Sequence, residues 1–144
     1  MDSMKPATSA VEPRPKAGET EKMTINVGVV DLGQVDLLVQ EGYYSNRSDL
    51  VRTALRNQLA LHAEAVKQTV ARRTLVVGLQ HFTRVDLERA VAAGERLQVQ
   101  VVGLARIADD VTPELARAAI ESVTVLGAFQ ASTAVRKALS DRIR

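Results

Sequence analysis

The sequence predicts an α+β N-terminal part followed by a small α/β domain of three strand–helix repeats. Three observations predict it. Residues 22–29 alternate polar and apolar side chains, as a half-buried strand does, with no second strand in hairpin reach. Two capped helix signals follow between Asp31 and Leu59. Finally, Val76-Val77-Gly78-Leu79, Val101-Val102-Gly103-Leu104 and Val125-Leu126-Gly127-Ala128 match one another at spacings of 25 and 24 residues, each ahead of another helix signal. The expected divisions are a disordered arm at 1–21, a strand–helix–helix unit at 22–59, a connecting helix at 60–73 and the α/β repeat domain at 74–144.

Residues 1–21 hold Pro6, Pro13 and Pro15 among Ser, Thr, Lys and Glu, with almost no large apolar side chains. Such a segment buries too little surface to offset its ordering entropy. Order is expected from Lys22. Met23, Ile25, Val27 and Val29 share one face of the strand, and Lys22, Thr24, Asn26 and Gly28 the other. Asp31 is expected to cap the first helix, with Gln34 completing a capping box. Leu32, Val35, Leu38 and Val39 follow at helical spacing, and Gly42 ends the helix in a left-handed conformation. After Tyr43-Tyr44-Ser45, Asn46 caps a second helix whose apolar side is Leu50, Val51, Ala54, Leu55 and Leu59. No Gly or Pro occurs from 45 to 77, so the helix is expected to run on towards Arg73. In the repeats, Thr83, Thr112 and Ser132 read as caps, and Pro113 takes the first helical position. The strand segments are apolar enough for burial on both faces. The repeat period fits either a leucine-rich-repeat-like stack or a compact βαβαβα sheet.

Composition narrows the chemistry. The 144 residues are 46% apolar and 25% charged, the balance of an ordinary globular chain. Cysteine is absent, which excludes disulfides, Cys-zinc sites and thiol nucleophiles together. His62 and His81 are the only imidazoles. His62 reads as a helix-surface residue, and His81 as a packing residue at a strand end. No metal ligand set, other cofactor site, phosphate loop or catalytic triad is legible, so no enzyme is expected. Asp109-Asp110 reads as a polar turn ahead of Thr112. The four aromatics, Tyr43, Tyr44, Phe82 and Phe129, are too few for single-strand nucleic-acid stacking, and the two tyrosines are expected to pack under the second helix. No apolar run approaches the ~20 residues of a membrane helix. The N-terminus lacks the order of a secretory signal, and the expected location is cytoplasmic. Net charge is only +2, yet Arg47, Arg52, Arg56, Lys67, Arg72 and Arg73 gather between residues 42 and 73 against Asp49 and Glu64. Arg52 and Arg56 read as a solvated face, with Asp49 pairing Arg52.

The order of strand, capped helix, Gly turn and second helix carries a resemblance. Lys22-Met23-Thr24-Ile25-Asn26-Val27, Gly42, and Asn46-Arg47-Ser48-Asp49-Leu50-Val51-Arg52-Thr53-Ala54-Leu55-Arg56 make residues 22–59 similar to the ribbon-helix-helix superfamily of DNA-binding proteins, the Arc/MetJ/CopG-like regulators. The repeat half resembles C-terminal extensions of some bacterial regulators of this type. The resemblance implies an intertwined homodimer, in which two strands pair antiparallel above four helices. It implies that the polar face of the ribbon enters the major groove of double-stranded DNA, with Lys22, Thr24 and Asn26 reading bases. It places phosphate at Asn46, Arg47 and Ser48, where free helical N–H groups and the dipole attract an anion. Met23, Ile25, Val27, Leu32, Val35, Leu38, Leu50, Val51, Ala54 and Leu55 would form the dimer core. The missing Cys and scarce His count against a nickel-sensing version.

The expected function is a sequence-specific transcriptional regulator, a repressor by family habit. A plasmid-partition or antitoxin-type DNA-binding protein is one alternative. Another is an assembly protein that polymerises or recruits partners through residues 74–144, with higher oligomers built there.

Overall fold

The structure, a computed structural model, describes residues 19–144. Most of the expected arm therefore lies outside the described residues. Contacts group Lys22–Arg72 as one unit, and Arg73–Arg144 with residues 19–21 as another.

The first unit contains α1 (Val29–Gln40), α2 (Arg47–Leu61) and α3 (Ala63–Arg72). Residues 22–28 carry no regular secondary structure, so the expected strand is not formed within one chain. A strand is defined by its ladder, and no other strand lies beside these residues among those described. The expected start of the first helix also shifts. Leu32 N–H donates to the Gly28 carbonyl at 2.9 Å, so the helix begins at Val29 with Gly28 at its N-cap. Asp31 is not the cap but sits in the first turn, where a negative charge still meets the helix dipole. Val29 and Val30 remain 84% and 70% exposed, so burial does not hold them in a strand.

The single long second helix is interrupted at His62 (φ −103°, ψ 10°), whose N–H turns back to the Leu59 carbonyl at 3.1 Å. Helical hydrogen bonding resumes when Val66 N–H donates to the His62 carbonyl at 3.0 Å. None of α1, α2 or α3 contains a buried residue.

The second unit is a β1-α4-β2-α5-β3-α6 chain: β1 (Val76–Phe82), α4 (Arg84–Ala92), β2 (Leu97–Ile107), α5 (Pro113–Ala119), β3 (Ile120–Gln130) and α6 (Thr133–Ala138). The strands pair in parallel in the order β1-β2-β3. Each of the two crossovers steps to the next neighbour in the same direction, and the three helices share one core, through Leu87 of α4, Ala116 of α5 and Val135 of α6. The repeats align in the sheet: Gly78 pairs with Gly103, and Gly103 with Gly127.

All three expected caps are made. Thr83 and Asp86 form a reciprocal capping box, at 3.1 Å for Asp86 N–H to Thr83 Oγ1 and 3.0 Å for Thr83 N–H to Asp86 Oδ2. Thr112 Oγ1 accepts from Leu115 N–H at 3.1 Å, with Pro113 opening the helix, and Ser132 Oγ accepts from Val135 N–H at 3.2 Å. The core lies between sheet and helices. Val99, Val101, Ala105, Ile107 and Val123 meet Leu87, Ala116, Val135 and Leu139, all 2% exposed or less. Among the described residues no helix covers the opposite face. Val77, Leu79, Val102, Leu104 and Ala128 line a hollow there together with residues 19–21.

Candidate nucleic-acid interface

The turn between α1 and α2 is fixed by backbone geometry. Gly42 adopts φ +88°, its N–H donates to the Val39 carbonyl at 3.1 Å, and Tyr43 N–H reaches the Leu38 carbonyl at 3.0 Å. These two bonds form a Schellman termination. A Cβ at Gly42 would meet nothing within 4 Å, so the left-handed backbone alone asks for glycine here. Tyr43 is 72% exposed, against the expected packing, and Tyr44 is half-buried.

Asn46 caps α2 as expected, its Oδ1 accepting from Asp49 N–H at 2.8 Å. The Asp49 carboxylate turns back to Ser45 N–H at 2.9 Å instead of pairing with Arg52. Leu50 N–H donates to the Asn46 carbonyl at 3.2 Å. The first N–H groups of the helix, those of Arg47 and Ser48, keep no acceptor among the described residues.

Arg47 has a partner that the sequence reading missed. Its Nε donates to Asp36 Oδ1 at 2.7 Å and its Nη2 to Asp36 Oδ2 at 2.8 Å, a bidentate pair joining α1 to α2. Hydrogen bonding from Arg47 holds the Asp36 carboxyl below its ordinary range, and the same bond raises the guanidinium. Two of the five guanidinium donors are thereby committed and three remain. The only signal in the sequence was an acidic residue in the first helix and a basic one opening the second. Nothing in the spacing says that a Gly turn brings them face to face.

Lys22, Thr24 and Asn26 are all exposed in the segment ahead of α1. Their apolar neighbours are exposed as well: Met23 at 74%, Ile25 at 60% and Val27 at 46%. Of the other expected core residues, Leu32, Val35 and Leu50 are half-buried, while Leu38, Val51, Ala54 and Leu55 stay exposed.

In the sheet unit, His81, Arg106 and Gln130 form one row near the carboxyl ends of the strands, and Arg106 Nε donates to Gln130 Oε1 at 2.9 Å. His81 is exposed and not packed as expected. Arg136 lies over the Phe129 ring at 5.4 Å. Asp110, in the expected turn, stands 3.9 Å from Arg84. Among the described residues no group of three or more His, Cys, Asp or Glu is placed to hold a metal ion, and no helix is long and apolar enough to cross a membrane.

A family model, the Ribbon-Helix-Helix transcriptional regulator family, matches residues 18–136. The match runs well past the 22–59 segment that carries the sequence resemblance and takes in the repeat unit as well. No curated protein and no solved structure matches the chain.

Proposed function

Because this chain belongs to the ribbon-helix-helix transcriptional regulator family, we propose that it is a non-enzymatic, sequence-specific regulator, a repressor, that grips double-stranded operator DNA as an intertwined homodimer in the cytoplasm of a bacterium. One observation carries the reading. The Lys22–Arg72 unit has three helices without a buried residue, and Met23, Ile25 and Val27, which alternate along the sequence with Lys22, Thr24 and Asn26, stand exposed. A unit of this size with its apolar face in water lacks the core to stand alone. An antiparallel partner strand from a second copy would satisfy the backbone of residues 22–28. It would also bury the apolar row against the helices, leaving the polar row outward.

A two-stranded ribbon fits the B-DNA major groove. Asn26 has the amide needed for a bidentate adenine contact, Thr24 a hydroxyl and a methyl, and Lys22 a donor for guanine. The Arg47 and Ser48 N–H groups, the Ser48 hydroxyl and the three uncommitted Arg47 donors suit a phosphate oxygen. The Asp36 bridge then acts as a brace, orienting the guanidinium while lowering its net charge towards DNA.

The test is selection of bound duplexes from random genomic fragments, with the wild type and with Asn26→Ala. Enrichment of a two-fold-related motif, lost in the variant, is the expected result. Equal, motif-free capture by both proteins would overturn base reading.

A further inference from the structure

The repeats change character at the carboxyl ends of the strands. His81, Arg106 and Gln130 follow Gly78, Gly103 and Gly127 at one common spacing and stand in register across β1, β2 and β3. The equivalent rows before them are apolar: Val77, Val102 and Leu126, then Leu79, Leu104 and Ala128. The polar row borders a hollow of about 660 Å³ whose lining also takes in Asp109, Phe129 and Arg136. That volume lies within the range of small-molecule sites, about 300–1,000 Å³.

Two guanidinium groups line this hollow, and neutral groups hold both. Arg106 Nε donates to Gln130 Oε1 at 2.9 Å. Arg136 lies over the Phe129 ring at 5.4 Å, and its Nη1 donates to the Phe129 carbonyl. Among the described residues each fork therefore keeps four of its five N–H donors uncommitted. Neither makes an ion pair there, whereas Arg84, Arg89 and Arg117 of the same unit face carboxylates at 3.7, 3.8 and 2.9 Å. Asp109 is the one carboxylate on the lining, and it pairs with neither fork. Arg106 is half-buried, so its charge is partly withdrawn from water with no opposite charge beside it. Such a group favours an anion, and a planar fork takes a carboxylate or phosphate through charge-assisted hydrogen bonds. The amide, the ring and the carbonyl orient the two forks without cancelling them. His81 adds an imidazole to the same wall.

We propose that this hollow binds a small organic anion, with its carboxylate or phosphate oxygens on Arg106 and Arg136 and its carbon body against Ala108 and Ala131. Half-burial of Arg106 favours a ligand small enough to enter over a duplex backbone, which would meet the exposed Arg136 first. The site lies wholly within the sheet unit and does not rest on the DNA reading.

The test titrates the full chain, labelled with ¹⁵N-arginine, with inorganic phosphate, ribose 5-phosphate and citrate, at an ionic strength held constant with sodium chloride. The readout is the Nε–Hε NMR resonances of Arg106 and Arg136, assigned by their loss in Arg106→Gln and Arg136→Gln. At least one probe is expected to shift both resonances to saturation. A response to the phosphates alone identifies a phosphate ligand, and a response to citrate alone a carboxylate. Either arginine variant should weaken that binding about tenfold or more, since it removes a charge-assisted contact. Asp109→Asn should tighten it, a gain that a damaged fold does not produce. Three probes that bind no better than chloride overturn the proposal. So does binding that both arginine variants retain, or that Asp109→Asn leaves unchanged. Resonances that respond to a random-sequence DNA duplex and to none of the small anions make the hollow a DNA contact and overturn it as well.

Discussion

Single atoms decide several outcomes. Replacing Asn26 with Ala should weaken cognate-site binding by about 1–3 kcal/mol and leave non-specific binding unchanged, measured by titration of both duplexes. Replacing Arg47 with Ala should weaken both and reduce the salt slope by about one. Asp36→Asn should act in the opposite sense, because it leaves one acceptor oxygen where there were two, releasing a guanidinium donor, and removes a negative charge beside the expected phosphate; tighter, more salt-sensitive binding is the expected result. The pair also makes a pH prediction. The folded Asp36 carboxyl is held low by Arg47. Its contribution is therefore present above the unfolded carboxyl value and lost as pH falls through the lowered folded one. A carbon-detected NMR titration should find Asp36 below the ordinary carboxylate range, and returned to it in Arg47→Ala. In the sheet, Gly103→Ala should destabilise far more than Gly78→Ala. Both carry the strain of a positive φ, about 1–3 kcal/mol, but only Gly103 would also drive a Cβ into a neighbouring backbone oxygen at 2.2 Å. Denaturant melts of the two variants measure the difference.

At the scale of elements, local signals were readable where a side chain bonds its own backbone. Asn46, Thr83, Thr112 and Ser132 cap helices as their sequence contexts predict, since a cap is settled within four residues. Asn46→Ala should therefore cost about 1 kcal/mol of stability in a thermal or denaturant melt. Asp31 misled because a carboxylate is welcome both at the cap and in the first turn, and only the Leu32 to Gly28 hydrogen bond distinguishes them. The break at His62 carries no Gly or Pro to announce it. The strand at 22–29 was read from alternation, which describes a face and not a partner. A strand needs a second backbone, and the described residues supply none to residues 22–28.

For the whole molecule, the two units make different demands. Residues 73–144 hold the buried core, and every fully buried large side chain among the described residues is found there. Residues 22–72 hold none. A fragment ending near residue 73 should accordingly fold only as it dimerises, with a melting temperature that rises with concentration; a concentration-independent melt would argue against the shared core. The sequence by itself determined the repeat register, the caps, the polar and apolar rows of residues 22–27 and the family to which they point, because these are set by neighbours in the chain. It did not contain the Asp36–Arg47 bridge or the collision that forces glycine at 103 and 127. Nor did it show that Gly78 lacks such a neighbour. Those depend on which backbone atoms lie within a few ångströms across turns and strands, a distance that only the folded chain sets.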